Sequence, residues 1–126
     1  MTVTHVMALR NALATTVKEA HEVGSGTATL VLRDGSDPIV TFNLAATPFG
    51  AASSGIITAA STPIEATASD SGPGVDNFIT YDKNGDPQLS GSVTAVGMGG
   101  DIEVTNTNIA LGQDCSLESL TYEAPQ

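Results

Sequence analysis

The sequence predicts an all-β protein: an antiparallel, jelly-roll-like β-sandwich occupying residues 1–126 as one domain, with one N-terminal α-helix over residues 4–23. Three observations carry this expectation. Apolar residues recur at spacings of three and four before Gly24, and at every second position after it. Thirteen Gly and six Pro, with many Ser and Thr, cut the rest of the chain into short pieces. With an aromatic share of 4% and no Trp, the core has to be built from Val, Ile, Leu and Ala. The length suits one domain with a real core and is too short for two.

In the first segment Val6, Leu9, Leu13, Val17 and Ala20 line one helical face. Arg10, Asn11, Thr15, Lys18, Glu19 and Glu22 form the solvated side, Thr4 is placed to cap the start, and Gly24 to stop the end. A lone helix before a run of strands either plugs one end of the core or docks on a neighbouring subunit. Val6, Leu9, Leu13 and Val17 are therefore the candidate interface residues.

After Gly24 the strands follow in order. Residues 27–33 place Ala28, Leu30 and Leu32 on one face, and Asp34-Gly35 turns the chain. Residues 39–44 bring Val40, Phe42 and Leu44 together. A loop over 47–54 leads to a weaker pair at 55–60 and 64–68, and residues 70–76 read as the loosest stretch. Residues 78–81 and 89–96 flank a tight corner, and 102–105 and 114–122 complete about eight short strands, the regular spacing of a sandwich or barrel. In the last strand Cys115 and Leu117 have one parity and Leu120 and Tyr122 the other, which predicts a bulge near Glu118-Ser119.

The corner, Asp82-Lys83-Asn84-Gly85-Asp86, sets oxygen-bearing side chains at alternate positions, as a calcium loop does. A helix–loop–helix calcium loop needs Gly at its sixth position and a bidentate Glu at its twelfth. Counted from Asp82, those positions hold Pro87 and Val93. Asn84-Gly85 between two alternating segments signals a hairpin with a type I′ turn instead. Asp34 with Asp37, and Asp70 with Asp76, are loop acids too few to satisfy a hard cation. His5 and His21 lie more than four helical turns apart and cannot share a metal; both read as solvent-facing helix residues. Cys115, the one cysteine, rules out an internal disulfide and reads as a core thiol. Residues 97–100, Gly-Met-Gly-Gly, lack the Lys and Ser/Thr of a phosphate loop and read as turn glycines. No catalytic, cofactor-binding or metal-binding constellation is expected, and hence no enzyme.

Fourteen acidic residues against four basic ones, Arg10, Lys18, Arg33 and Lys83, give a net charge of −10. The four cations are scattered, so neither nucleic acid nor an anionic membrane is an expected partner; the charge instead favours solubility and attraction to a basic protein surface. No apolar run approaches the ~20 residues of a transmembrane helix, and the first residues lack the pattern of a secretory leader.

Three stretches of the C-terminal half carry a resemblance: residues 77–93 (NFITYDKNGDPQLSGSV), 99–113 (GGDIEVTNTNIALGQ) and 117–125 (LESLTYEAP). Their order, an aromatic strand, an Asn/Ser-Gly turn, Gly-Ser-Val, an Asp-aliphatic strand, an Asn-Ile-x-x-Gly-Gln turn and a closing Thr-Tyr-x-x-Pro strand, resembles a family of small virion proteins of tailed bacteriophages. The resemblance runs from Phe78 to Pro125 and more loosely over residues 48–56. Cys115, Leu117 and Leu120 stand where that family more often shows Val and Phe, a difference in core packing. The resemblance implies an assembly component of the virion with no catalytic residues. Such a protein would be a head decoration or cement subunit, homo-oligomeric and bound to the major capsid protein on the shell exterior. The alternative is a tail, neck or fibre part acting as a host-recognition module; Phe49 as the one loop aromatic offers little platform for a sugar.

Overall fold

A computed structural model describes residues 5–117 and 120–124. The chain is mostly β with a single N-terminal helix. The elements are α1 (Met7–Ala20), β1 (Thr29–Asp34), β2 (Asp37–Asn43), β3 (Ile56–Thr58), β4 (Ile64–Thr67), β5 (Asn77–Tyr81), β6 (Pro87–Ala95), β7 (Ile102–Val104), β8 (Asp114–Leu117) and β9 (Thr121–Glu123). Five strands form one sheet in the order β2-β1-β5-β6-β7, while β3 pairs with β9 and β4 with β8 in two small sheets.

The expectation of an antiparallel fold holds for every strand pairing but one: β7 runs parallel to β6, with Val93 opposite Ile102 and Ala95 opposite Val104. Parallel neighbours usually need a crossover of a dozen residues or more. Here the glycine run at 97–100 doubles the chain back far sooner. Gly97 and Gly99 take left-handed backbone angles (φ 88 and 84), and Gly100 lies so close to Thr94 that a β-carbon would meet its Oγ1 at 2.6 Å. Thr94 Oγ1 accepts the Gly100 N–H at 2.9 Å and Glu103 accepts the Gly99 N–H at 3.0 Å, which fixes the reversal.

The core joins these sheets. Leu30, Leu32, Val40, Phe42 and Leu44 are buried, and they cluster with Phe49, Ile57, Phe78 and Leu117. The single final strand expected over 114–122 is instead two, β8 and β9, which pair with different partners. That division explains the change of parity: Leu117 and Leu120 are both buried although they belong to opposite alternations. The expected bulge at Glu118-Ser119 lies outside the described residues, as does Thr4.

The corner after β5 is a hairpin turn of a different type from the one expected. Gly85 N–H donates to the Asp82 carbonyl at 3.0 Å, and Asp82 N–H donates to the Asp86 carbonyl at 2.9 Å. Of the two central residues proposed for a type I′ turn, Gly85 alone has positive φ (86). The result is a three-residue loop closed by a left-handed glycine, the second common solution for a hairpin. The stretch 70–76, which reads as loose in the sequence, is pinned on several sides. Gly72 and Ile109 exchange N–H···O bonds of 2.7 and 2.8 Å, and Val75, itself buried, donates to Thr107 O at 3.0 Å.

Candidate interaction surface

α1 is held to the body along a face that the apolar pattern marks only in part. Its buried residues are Arg10 and Ala14, and the next position on that face, His21 at the C-cap, is also buried. Arg10 reads as solvated in the sequence, and His21 as solvent-facing; both expectations are corrected by packing. Arg10 lies over Gly55, whose position would bring a β-carbon to 2.9 Å from the guanidinium carbon. It donates to Glu123 at 3.0 Å and to the Ala124 carbonyl at 3.4 Å, while its Nε is buried without a hydrogen-bond partner. Asn11 Oδ1 accepts the Gly55 N–H at 2.7 Å, a second clamp on the same turn. Arg10 is buried as a whole while its head reaches a carboxylate, so one side chain both fills space and pairs.

His21 closes the other end. Its Nδ1 is 2.8 Å from the Val17 carbonyl and its Nε2 is 2.8 Å from Thr80 Oγ1. A carbonyl only accepts, so Nδ1 carries the proton and Nε2 accepts from the Thr80 hydroxyl. The ring also meets Phe49 edge-on, with centroids 5.0 Å apart. Burial holds the imidazole below its ordinary value of 6.5, against smaller opposing effects of the Val17 carbonyl and the Asp82 charge.

With that face fixed, the four candidate interface residues divide. Leu13 and Val17 are half-buried and pack against the core. Val6 and Leu9 are 71% and 45% exposed, and Met7 between them is 48% exposed. The helix begins at Met7 with Val6 at the N-cap and no side-chain cap there. Its outer N-terminal edge is thus an apolar patch mounted on a rigidly docked helix. On the opposite edge Lys18 donates to Glu22 at 2.6 Å, a partly buried i,i+4 pair.

The acidic loops are built for structure. Asp82 Oδ1 accepts the N–H groups of Asn84 and Asp86 at 2.8 and 3.0 Å, and Oδ2 accepts Gln88 Nε2 at 3.1 Å. These bonds, that from Asp86 foremost, hold its carboxyl below the usual 3.8. Asp34 and Asp76 act across loops rather than with Asp37 and Asp70. Asp34 accepts the Gly74 N–H at 3.1 Å, and Asp76 accepts Asn77 Nδ2 at 2.7 Å and the Gly35 N–H at 3.2 Å. The Asn77 bond is the main reason that Asp76 also titrates below its ordinary value. Among the described residues no group of three His, Cys, Asp or Glu side chains is placed to hold a metal ion. Cys115, expected in the core, is partly buried on β8 and packs against the core from its margin; partial burial and the neighbouring Asp114 raise its pKa, which makes it a poor nucleophile at neutral pH.

No helix among the described residues is long and apolar enough to cross a membrane. No protein-family model, curated protein or solved structure matches this chain.

Proposed function

We propose that the protein is a non-enzymatic structural component of a tailed-phage virion. In this reading it is a head decoration or cement protein that binds the capsid exterior as a homo-oligomer and reinforces contacts between shell subunits. The observation that carries the reading is the apolar edge Val6, Met7 and Leu9, left exposed on a helix whose other face is clamped to the body. A preformed apolar edge docks without first paying to order a flexible arm. The resemblance of residues 78–125 to small virion proteins supplies the partner, the major capsid protein. A clip across a subunit boundary stabilises a shell by mass action, by RT ln(1 + [L]/Kd).

The same reading takes the architecture as a jelly-roll-like sandwich. Its support is the common core, in which Leu30, Leu32 and Phe42 of the large sheet cluster with Ile57 of β3 and Leu117 of β8.

Cryo-microscopy of intact particles tests the location, and add-back to heads lacking the protein tests the surface. Wild-type protein should rebind heads and raise their rupture temperature, whereas Leu9→Asp should fold normally and fail to rebind. Density at the tail tip or neck would instead favour the host-recognition reading.

A further inference from the structure

Two strand ends of the sheets border one groove. β7 terminates the five-stranded sheet beside β6, and β8 pairs with β4, so among the described residues each strand has one edge outside any ladder. The groove has two adjoining parts, of 360 and 430 Å³, which share Leu32, Phe42, Glu103 and Val104 in their linings. Ile102, Glu103 and Val104 line one wall, and Asp114, Cys115, Ser116 and Leu117 the other. Side chains alternate across a strand, so a flat face would present every second residue. Both strands border this space along consecutive residues, and each has its unpaired edge available there. The floor is core, Leu32 and Phe42.

We infer that this groove receives an extended basic segment of a partner polypeptide. The segment adds a strand to the free edge of β7 or β8, rests an apolar side chain over Leu32 and Phe42, and sets Lys or Arg against Asp101, Glu103 and Asp114. Unpaired edges are templates for another strand, and in such additions main-chain bonds give affinity while the pockets beside them give specificity. The three acidic residues belong to the lining and are exposed, and each carboxylate is anchored to a neighbouring segment. Asp101 accepts the Ser92 N–H at 3.0 Å, Glu103 the Gly99 N–H at 3.0 Å and Asp114 the Thr67 hydroxyl at 3.2 Å.

Charge decides between occupants. No Lys or Arg lines the groove. A second copy brings a net charge of −10 to an acidic rim, and three of its four cations are engaged: Arg10 with Glu123, Lys18 with Glu22 and Arg33 with Asn77. Like charges across an interface reject the wrong partner, and opposite charges steer the right one. The acids that keep copies of this chain from pairing at the groove attract a basic strand. The inference stands on the groove alone and holds wherever the protein resides.

Fluorescence anisotropy with three labelled synthetic peptides tests it: alternating Val and Thr flanked by Lys, the same core flanked by Glu, and the Lys-flanked peptide with a central Pro. The Lys-flanked peptide should bind at least about tenfold more tightly than the Glu-flanked one, and more weakly as salt rises. The Pro peptide, lacking a ladder donor, should lose binding. Glu103→Lys and Asp114→Lys, both at exposed positions, should each weaken the Lys-flanked peptide about tenfold, with circular dichroism checking that each variant is folded at the temperature of the binding assay. In the wild-type protein, bound peptide should shield Cys115 from alkylation, a readout that needs no variant. Equal binding of the Glu-flanked or Pro peptide, or unshielded Cys115 at saturation, overturns the proposal. So does a concentration-dependent dimer that Glu103→Lys abolishes, since that assigns the groove to a second copy.

Discussion

His21 Nε2 lies 2.8 Å from the hydroxyl of Thr80, and that hydroxyl accepts the Leu89 N–H at 2.9 Å. Thr80 sits where the β5–β6 register shifts: Ile79 faces Ser90 and Tyr81 faces Pro87, so one residue on β5 opposes two on β6. A bulge of this kind leaves a ladder group unpaired and re-aims a side chain. Here the hydroxyl takes the Leu89 N–H and hands its own proton to the helix cap. One sheet irregularity thereby fastens α1 to the body through a neutral imidazole.

That arrangement makes stability pH-dependent. The folded pKa of His21 lies below its unfolded value, so the unfolded chain binds the proton more readily. Its contribution is present in full above the unfolded value of 6.5 and declines as pH falls through it. The thermal midpoint of the wild-type protein should drop between neutral and mildly acidic pH. His21→Leu should flatten that slope and, by removing two hydrogen bonds, cost about 1–3 kcal/mol at neutral pH. An unchanged slope in the variant would assign the titration elsewhere.

At the other clamp, Arg10→Ala should cost about 2–4 kcal/mol in urea unfolding, because it empties the space over Gly55 and strands buried surface. Arg10→Met should recover a large part of that loss, since the stem packs and the ion pair to Glu123, itself 52% exposed, is screened. Equal destabilisation by both variants would place the weight on the guanidinium bonds instead.

The β5–β6 corner should behave as a turn and not as a cation site. A chelator should leave the thermal midpoint unchanged, while Gly85→Val should cost on the order of 1–3 kcal/mol through strain at positive φ. Asp82→Ala should destabilise the hairpin by removing the acceptor of three hydrogen bonds. Because Asp82 and Asp76 are held below 3.8, their contribution is present above that value and is lost as pH falls through their folded pKa values. A large chelator effect would restore the calcium-loop reading.

The helix edge separates docking from folding. Leu9→Asp and Val6→Asp are exposed substitutions and should shift stability by no more than about 0.5 kcal/mol. Leu13→Asp should cost several times that amount, because Leu13 packs against the core and a carboxylate there loses hydration. Circular dichroism melts of the three variants decide the order; equal stability would mean that Leu13 is not a packing residue.

The sequence by itself determined the elements whose cause is local. The switch of hydrophobic period at Gly24 marks where the helix gives way to strands, and Val40, Phe42 and Leu44 are buried together as their alternation requires. Asn84-Gly85 marks the hairpin, although the turn type depended on Asp82 bonding across the loop. Only the tertiary structure decided which helix face is inside. Arg10 and His21 look like solvated residues because their burial is compensated by groups far along the chain: Glu123 and Ala124 for one, Thr80 and Phe49 for the other. Apolar periodicity records transfer from water; it carries no record of a polar group whose partners arrive from distant strands. The division of the last strand was half legible, as a parity change at Leu117 and Leu120, but its outcome rested on β8 and β9 finding different partners. The groove between β7 and β8 was not legible at all, since the space between two edges is set by how the sheets close around Leu32 and Phe42.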